Sequence, residues 1–231
     1  MISRTAYRFC ILLLLWIIPT LGVSAQIPLT EFEQALYSIP VSNPSYILST
    51  IDMGMTQADF PAAPLLRLID RLHALEAPAF EKEAILTVLA RAMEDGLPIE
   101  SLINRTSEGL ARSVPLQQIE RGLDQRLILL RQSRDLLYAK GIFSAPAEAP
   151  QTMANAVPMT RFNQLLIHIS GAIGEFLDSG GSPFDGHVLY QDVRNRLTTL
   201  QGVTLLVEDV ELVLDRIEPS DLTQVALAAV S

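Results

Sequence analysis

Between residues 43 and 230 the apolar residues recur at i, i+3, i+4 and i+7 rather than alternately, the spacing that gathers them on one face of an α-helix. Asn43 before Pro44 reads as an N-cap with proline in the first helical position, and Gly54 marks the end of that short helix. Leu65, Leu68, Ile69, Leu72 and Leu75 form the next stripe. Phe80, Ala84, Ile85, Val88, Leu89, Ala92 and Met93 form another, closed by Gly96. Ile99, Leu102, Ile103, Thr106 and Leu110 continue after Pro98, and Pro115 opens a long helix reaching Lys140. Later stripes run through Phe162, Leu165, Leu166, Ile169, Ile173, Phe176 and Leu177, and through Val188, Leu189, Val193, Leu197 and Leu200, the second opened by Ser182, Pro183 and Asp185. Two further helices are expected near 203–217 and 220–230, the last capped by Ser220.

A weak repeat underlies this punctuation. An apolar residue, a proline and a second apolar residue four positions later occur at Phe60-Pro61 with Leu65, Leu97-Pro98 with Leu102, Val114-Pro115 with Ile119 and Val157-Pro158 with Phe162. Proline pre-sets φ for a first turn, and the flanking apolar pair can close over it as a hydrophobic staple. Short helices of this kind must stack, because none can bury its stripe alone. The expected fold is therefore all-α, an irregular multi-helix bundle or short α-solenoid of about eight to nine helices. Residues 143–156 interrupt the rhythm with small residues and two prolines, which reads as a linker between helical regions at 26–142 and 157–231.

The stretch Gly96-Leu97-Pro98-Ile99-Glu100-Ser101-Leu102-Ile103-Asn104-Arg105, continuing through Glu108-Gly109-Leu110-Ala111-Arg112 to Val114-Pro115 and Ile119, resembles a module of uncharacterised exported all-helical proteins of bacteria. The likeness covers residues 96–140. It implies export and helical architecture, and no activity comes with it.

Residues 1–25 have the layout of a secretory signal peptide. Arg4 and Arg8 precede an apolar block from Phe9 to Ile18, and Val23, Ser24 and Ala25 supply the small residues that a signal peptidase accepts, so cleavage is expected between Ala25 and Gln26. The apolar block falls short of the roughly 20 residues of a spanning helix. Tyr7, Arg8 and Phe9 before Cys10 do not form a lipid-attachment motif. Loss of Arg4 and Arg8 leaves 15 basic residues against 26 acidic ones, and loss of Cys10 leaves no cysteine. The exported product must hold together through its core alone. No later segment is long and uncharged enough to span a bilayer, so a soluble product in the periplasm or outside the cell is expected.

The acidic balance argues against nucleic acid as partner, since affinity for phosphates comes from clustered Lys and Arg. No His-Glu-x-x-His, Gly-x-Ser-x-Gly, phosphate-binding glycine loop or cysteine motif occurs, so neither a cofactor nor a metal site is expected. His73, His168 and His187 fall on three different helices without carboxylates at ligand spacing. Glu108 invites comparison with the single glutamate of helical glycan-cleaving enzymes, as does Glu175, but Arg105 and Arg112 flank Glu108 at i−3 and i+4 as in a solvated ion-pair face. Aromatic content of 6% leaves few platforms for sugars.

Leu116, Leu123, Leu130 and Leu137 stand seven apart. The companion positions Ile119, Arg126, Ser133 and Lys140 would place charge in a zipper seam, so the leucines read as the inward face of an intramolecular bundle. Residues 105–140 hold seven basic and four acidic groups, whereas 203–231 hold six acids and Arg216. These read as solvated faces, or as Arg121, Arg126, Arg131 and Arg134 meeting an acidic partner or the acidic end of the chain. Ser170, Gly171 and Gly174 form a notch that suits close packing. The Asn104-Arg105-Thr106 sequon falls on a helix and reads as coincidence. The expected function is binding, as a scaffold or interaction module for a cell-envelope protein. A carrier of an apolar small molecule is the alternative, and a glycan-cleaving enzyme the third reading.

Overall fold

The computed structural model describes residues 27–57, 59–142 and 159–230. The signal peptide expected over 1–25, the cut between Ala25 and Gln26 and the linker at 143–156 lie outside the described residues. Within them the chain forms ten α-helices and no strand: α1 (Leu29–Tyr37), α2 (Pro44–Met55), α3 (Ala62–Ala74), α4 (Ala79–Glu94), α5 (Glu100–Ala111), α6 (Leu116–Ala139), α7 (Met159–Asp178), α8 (Gly186–Leu200), α9 (Val207–Arg216) and α10 (Pro219–Val230). The one beyond the expected eight to nine is α1. It is short, has no side-chain cap at Pro28, and buries only Phe32 and Leu36, too brief a stripe to stand out in the sequence.

Several helices begin one residue after the proline that was expected to be their first residue. Pro44 and Pro219 head their helices, but Pro28, Pro61, Pro78 and Pro115 occupy the N-cap, where their carbonyls accept the first helical N–H groups. Leu65 donates to Pro61 at 3.0 Å and Ile119 to Pro115 at 3.1 Å. In that register Phe60 and Leu65, like Val114 and Ile119, are the N′ and N4 positions of a hydrophobic staple. Asn43 caps α2 as expected, its Oδ1 accepting from Tyr46 N at 3.2 Å. Two other starts differ. Ser182 accepts from Phe184 N at 3.3 Å in a turn, and α8 begins only at Gly186. Ser220 lies inside α10, and Asp221 performs the capping by accepting from Glu218 N at 2.8 Å.

The ends of α4, α5, α6 and α7 follow one scheme. At the end of α4, Gly96 has φ +65°, Gly96 N donates to Met93 O at 3.0 Å and Leu97 N to Ala92 O at 2.9 Å, a Schellman closure that turns Leu97 into the core. The end of α5 makes the same pair of bonds with Ser113 in the left-handed position, φ 56°.

Two rings of helices share α6. On one side α1, α2, α4, α6, α5 and α3 touch in sequence and close back on α1. On the other, α6, α7, α8 and α10 close a four-helix ring, with α9 on α8. Contacts between helices distant in sequence make this a bundle rather than a solenoid, in which each unit meets only its neighbours. One cluster of buried side chains runs from Phe32 to Ala229 through both rings. The four heptad leucines are buried, together with Ile119 and Leu127, against helices of the same chain. Two expected core residues are not: Phe80 and Val188 stand in solvent, because the buried faces run through Lys82, Ile85 and Leu86 in α4 and through Gly186, Leu189 and Val193 in α8. Lys82 is buried as the cap of α3, its Nζ donating to Leu75 O at 2.6 Å and His73 O at 3.2 Å, at the negative end of that helix dipole.

Candidate binding cleft

A cleft of about 370 Å³ lies where the α2–α3 turn, the α4–α5 turn and the first turns of α7 converge. Each wall has a local cause. Gly54 lets the Phe60 ring lie against the end of α2, since a β-carbon there would come within 2.5 Å of the ring. The glycine closure after Met93 presents Leu97, Pro98 and Ile99, and Glu100 opens α5 at the rim. From α7 come Thr160, Asn163, Gln164 and Ile167, at the i, i+3, i+4, i+7 spacing of a single helix face. The floor is apolar and the α7 wall is uncharged and polar. Asn163 Oδ1 is buried without a hydrogen-bond partner.

The other polar concentration lies between α6, α7 and α8. Arg126 Nη1 donates to the main-chain carbonyls of Ser170 at 3.1 Å and Gly171 at 3.3 Å. Burial holds this guanidinium below its ordinary pKa, partly countered by Asp178 and Glu175. Arg105 pairs with Asp178 at 3.0 Å and Arg196 with Glu175 at 2.6 Å. His168 Nδ1 is buried without a partner, and burial, aided by the Arg196 charge, lowers the imidazole pKa. A hollow of about 290 Å³ opens beside Arg105, Arg126 and Asp178. The charged groups here already have partners within the chain, as struts between helices do. Asn163 Oδ1 beside the cleft lacks a hydrogen-bond partner just as His168 Nδ1 and Arg196 Nε do here, so it is the apolar floor that sets the cleft apart.

The residues singled out in the sequence fall elsewhere. Glu108 lies exposed between Arg112, at 2.6 Å, and Arg105, at 3.9 Å. Glu175 is exposed in its pair with Arg196. His73, His168 and His187 stand on α3, α7 and α8, and among the described residues no group of three or more His, Cys, Asp or Glu side chains is placed to hold a metal ion. The notch at Ser170, Gly171 and Gly174 receives the guanidinium of Arg126 on one side and that of Arg196 on the other, rather than a neighbouring backbone. Thr106 is buried and bonds Leu102 O at 2.7 Å, so the sequon's hydroxyl is committed inside α5.

The arginines of α6 turn away from the acidic end of the chain: Arg131 pairs with Asp95 at 2.6 Å and Arg134 Nη1 donates to Asp95 O at 3.0 Å. Arg161 meets the acidic start of α9, holding the buried Asp209 with two bonds of 2.6 and 2.8 Å, and Lys140 pairs with Asp221 at 2.6 Å. The cleft residues Thr160, Asn163 and Gln164 carry a signal of their own, an uncharged polar face beside the Phe162, Leu165, Leu166 stripe. Its partner walls come from turns more than 60 residues earlier.

Among the described residues no helix is long and apolar enough to cross a membrane. No protein-family model matches the chain, and no curated protein or solved structure matches it.

Proposed function

We propose that this chain is an exported binding module of the bacterial cell envelope. In this reading it is cut between Ala25 and Gln26, works without catalysis in the periplasm or outside the cell, and holds a small molecule in the cleft between Phe60, Leu97 and Asn163. Export rests on the arrangement of residues 1–25 and on the likeness of residues 96–140 to exported helical proteins. Of the two partners expected, an envelope protein and an apolar small molecule, the cleft favours the second. Its concave apolar floor with a few convergent polar groups is the usual form of a small-molecule site. The concavity carries the reading, with Phe60, Met93, Leu97 and Ile167 as apolar lining and Thr160, Asn163 and Gln164 as polar groups on one wall.

Native mass spectrometry of the protein purified from its source tests this. A retained small mass, lost in an Ile167→Trp variant that fills the cleft, supports the reading. A protein with no small mass that captures one envelope protein stoichiometrically from extracts would replace it with the interaction-module reading.

A further inference from the structure

We propose that the hollow bounded by α5, α6, α7 and the end of α10 is a second site, independent of the cleft, and that it takes a monocarboxylate with a short apolar body. Arg126 carries the argument. Its Nη1 is spent on the carbonyls of Ser170 and Gly171, but among the described residues Nε and Nη2 have no hydrogen-bond partner and the guanidinium has no ion pair. The other described arginines without a carboxylate partner, Arg67, Arg71, Arg121, Arg194 and Arg216, stand exposed, where water serves them, whereas Arg126 is half-buried. Burial holds its pKa down in spite of Asp178 and Glu175 nearby, so an anion at the unused edge supplies what these neighbours do not. Nε and Nη2 form the side of the guanidinium whose two parallel N–H groups match the two oxygens of a carboxylate. Arg196 Nε is enclosed, but these two nitrogens are not, and Arg126 lines the hollow.

The charge balance of the hollow points the same way. Its charged lining is Arg105, Arg126 and Asp178, two positive groups and one negative, in a chain whose net charge is −9. Arg105 and Asp178 answer each other at 3.0 Å, which leaves one cation for one anion. A dianion would meet repulsion from Asp178 and Glu175, so a single charge fits best. Gly122 supplies the room. A β-carbon there would meet nothing within 4 Å, so no close packing accounts for a glycine inside α6, where it is unfavourable relative to alanine. Leu129, Leu177 and Val230 give the hollow of about 290 Å³ an apolar side that covers a body of a few carbons.

The test titrates the full exported chain with pentanoate, pentanamide and sulfate, following the Nε–Hε NMR signal of Arg126 and the methyl signals of Leu177. Pentanoate should move both saturably and bind about tenfold tighter than pentanamide, with a margin that narrows as salt is raised. Sulfate should bind more weakly than pentanoate. Gly122→Leu fills the hollow while leaving Arg126 in place, and should abolish pentanoate binding with a Tm at or above that of the wild type. Arg126→Lys keeps the charge but not the paired N–H groups, and should weaken pentanoate about tenfold as read at Leu177. Pentanamide or sulfate binding as tightly as pentanoate, a shift that does not saturate, or pentanoate affinity unchanged in Gly122→Leu or Arg126→Lys overturns the site. The cleft reading stands apart from every one of these outcomes, because the hollow and the cleft share no residue.

Discussion

The guanidinium of Arg126 fills the space in which a β-carbon on Gly174 would stand, and its Nη1 reaches the carbonyl of Ser170 one turn earlier on the same helix. A glycine inside α7 carries a cost of about 1 kcal/mol against alanine in helix propensity. Here it admits a charged side chain from α6 between two helices of the four-helix ring. The charge can stay buried because main-chain carbonyls accept its protons and Asp178 and Glu175 lie near.

Gly174→Ala should therefore destabilise the protein by about 1–3 kcal/mol, since the new methyl must displace a hydrogen-bonded guanidinium. In an Arg126→Ala background the same change should be neutral or stabilising, by up to about 1 kcal/mol from helix propensity. Urea unfolding of the four proteins of this double-mutant cycle measures the coupling. Equal costs in both backgrounds would show that Gly174 is constrained by something other than Arg126.

Ser113 holds a left-handed conformation at the end of α5, in the place that Gly96 fills at the end of α4. Its side chain is exposed, so nothing in the core depends on it. Ser113→Gly should stabilise the fold by roughly 0.5–1 kcal/mol, because the steric penalty at positive φ outweighs the extra chain entropy of glycine. Thermal melting reads this as a rise in Tm, and Ser113→Val should lower it.

His168 makes stability depend on pH with a definite sign. Its folded pKa lies below the ordinary 6.5, so above that value the imidazole is neutral in both states and the native packing is fully present. As pH falls below 6.5 the unfolded chain takes up a proton that the folded chain resists, and stability declines until the folded pKa is passed. Against a His168→Gln variant, the wild-type protein should lose relative stability as the pH falls from about 7.5 through the ordinary 6.5. A constant difference between the two across that window would mean that the imidazole titrates alike in both states.

Much of the helical plan was legible because its determinants are local. Asn43 caps α2, Gly96 closes α4, and the stripes at Leu65–Leu72 and Leu116–Leu137 mark buried faces, since each depends on residues within one or two turns. The failures are also local, at places where two rules compete. Ser182-Pro183 has the composition of a helix start but makes a turn, and Phe80 continues an apolar spacing beyond the point where α4 has a neighbour to cover it. Of the cleft, only the uncharged polar face of Thr160, Asn163 and Gln164 left a mark in the sequence. Gly54, Phe60, Leu97 and Asn163 each have an ordinary local role, and only their convergence makes a site.

Helical content and most helix limits were set by the sequence alone, through periodicity and capping acting over a few residues. Which helices meet, and so that α6 is shared by two rings, that Arg126 rather than a backbone enters the notch of α7, and that Phe60, Leu97 and Asn163 line one cleft, was decided only in three dimensions. Those relationships join residues tens of positions apart, and periodicity records which face of a helix is buried but not what buries it.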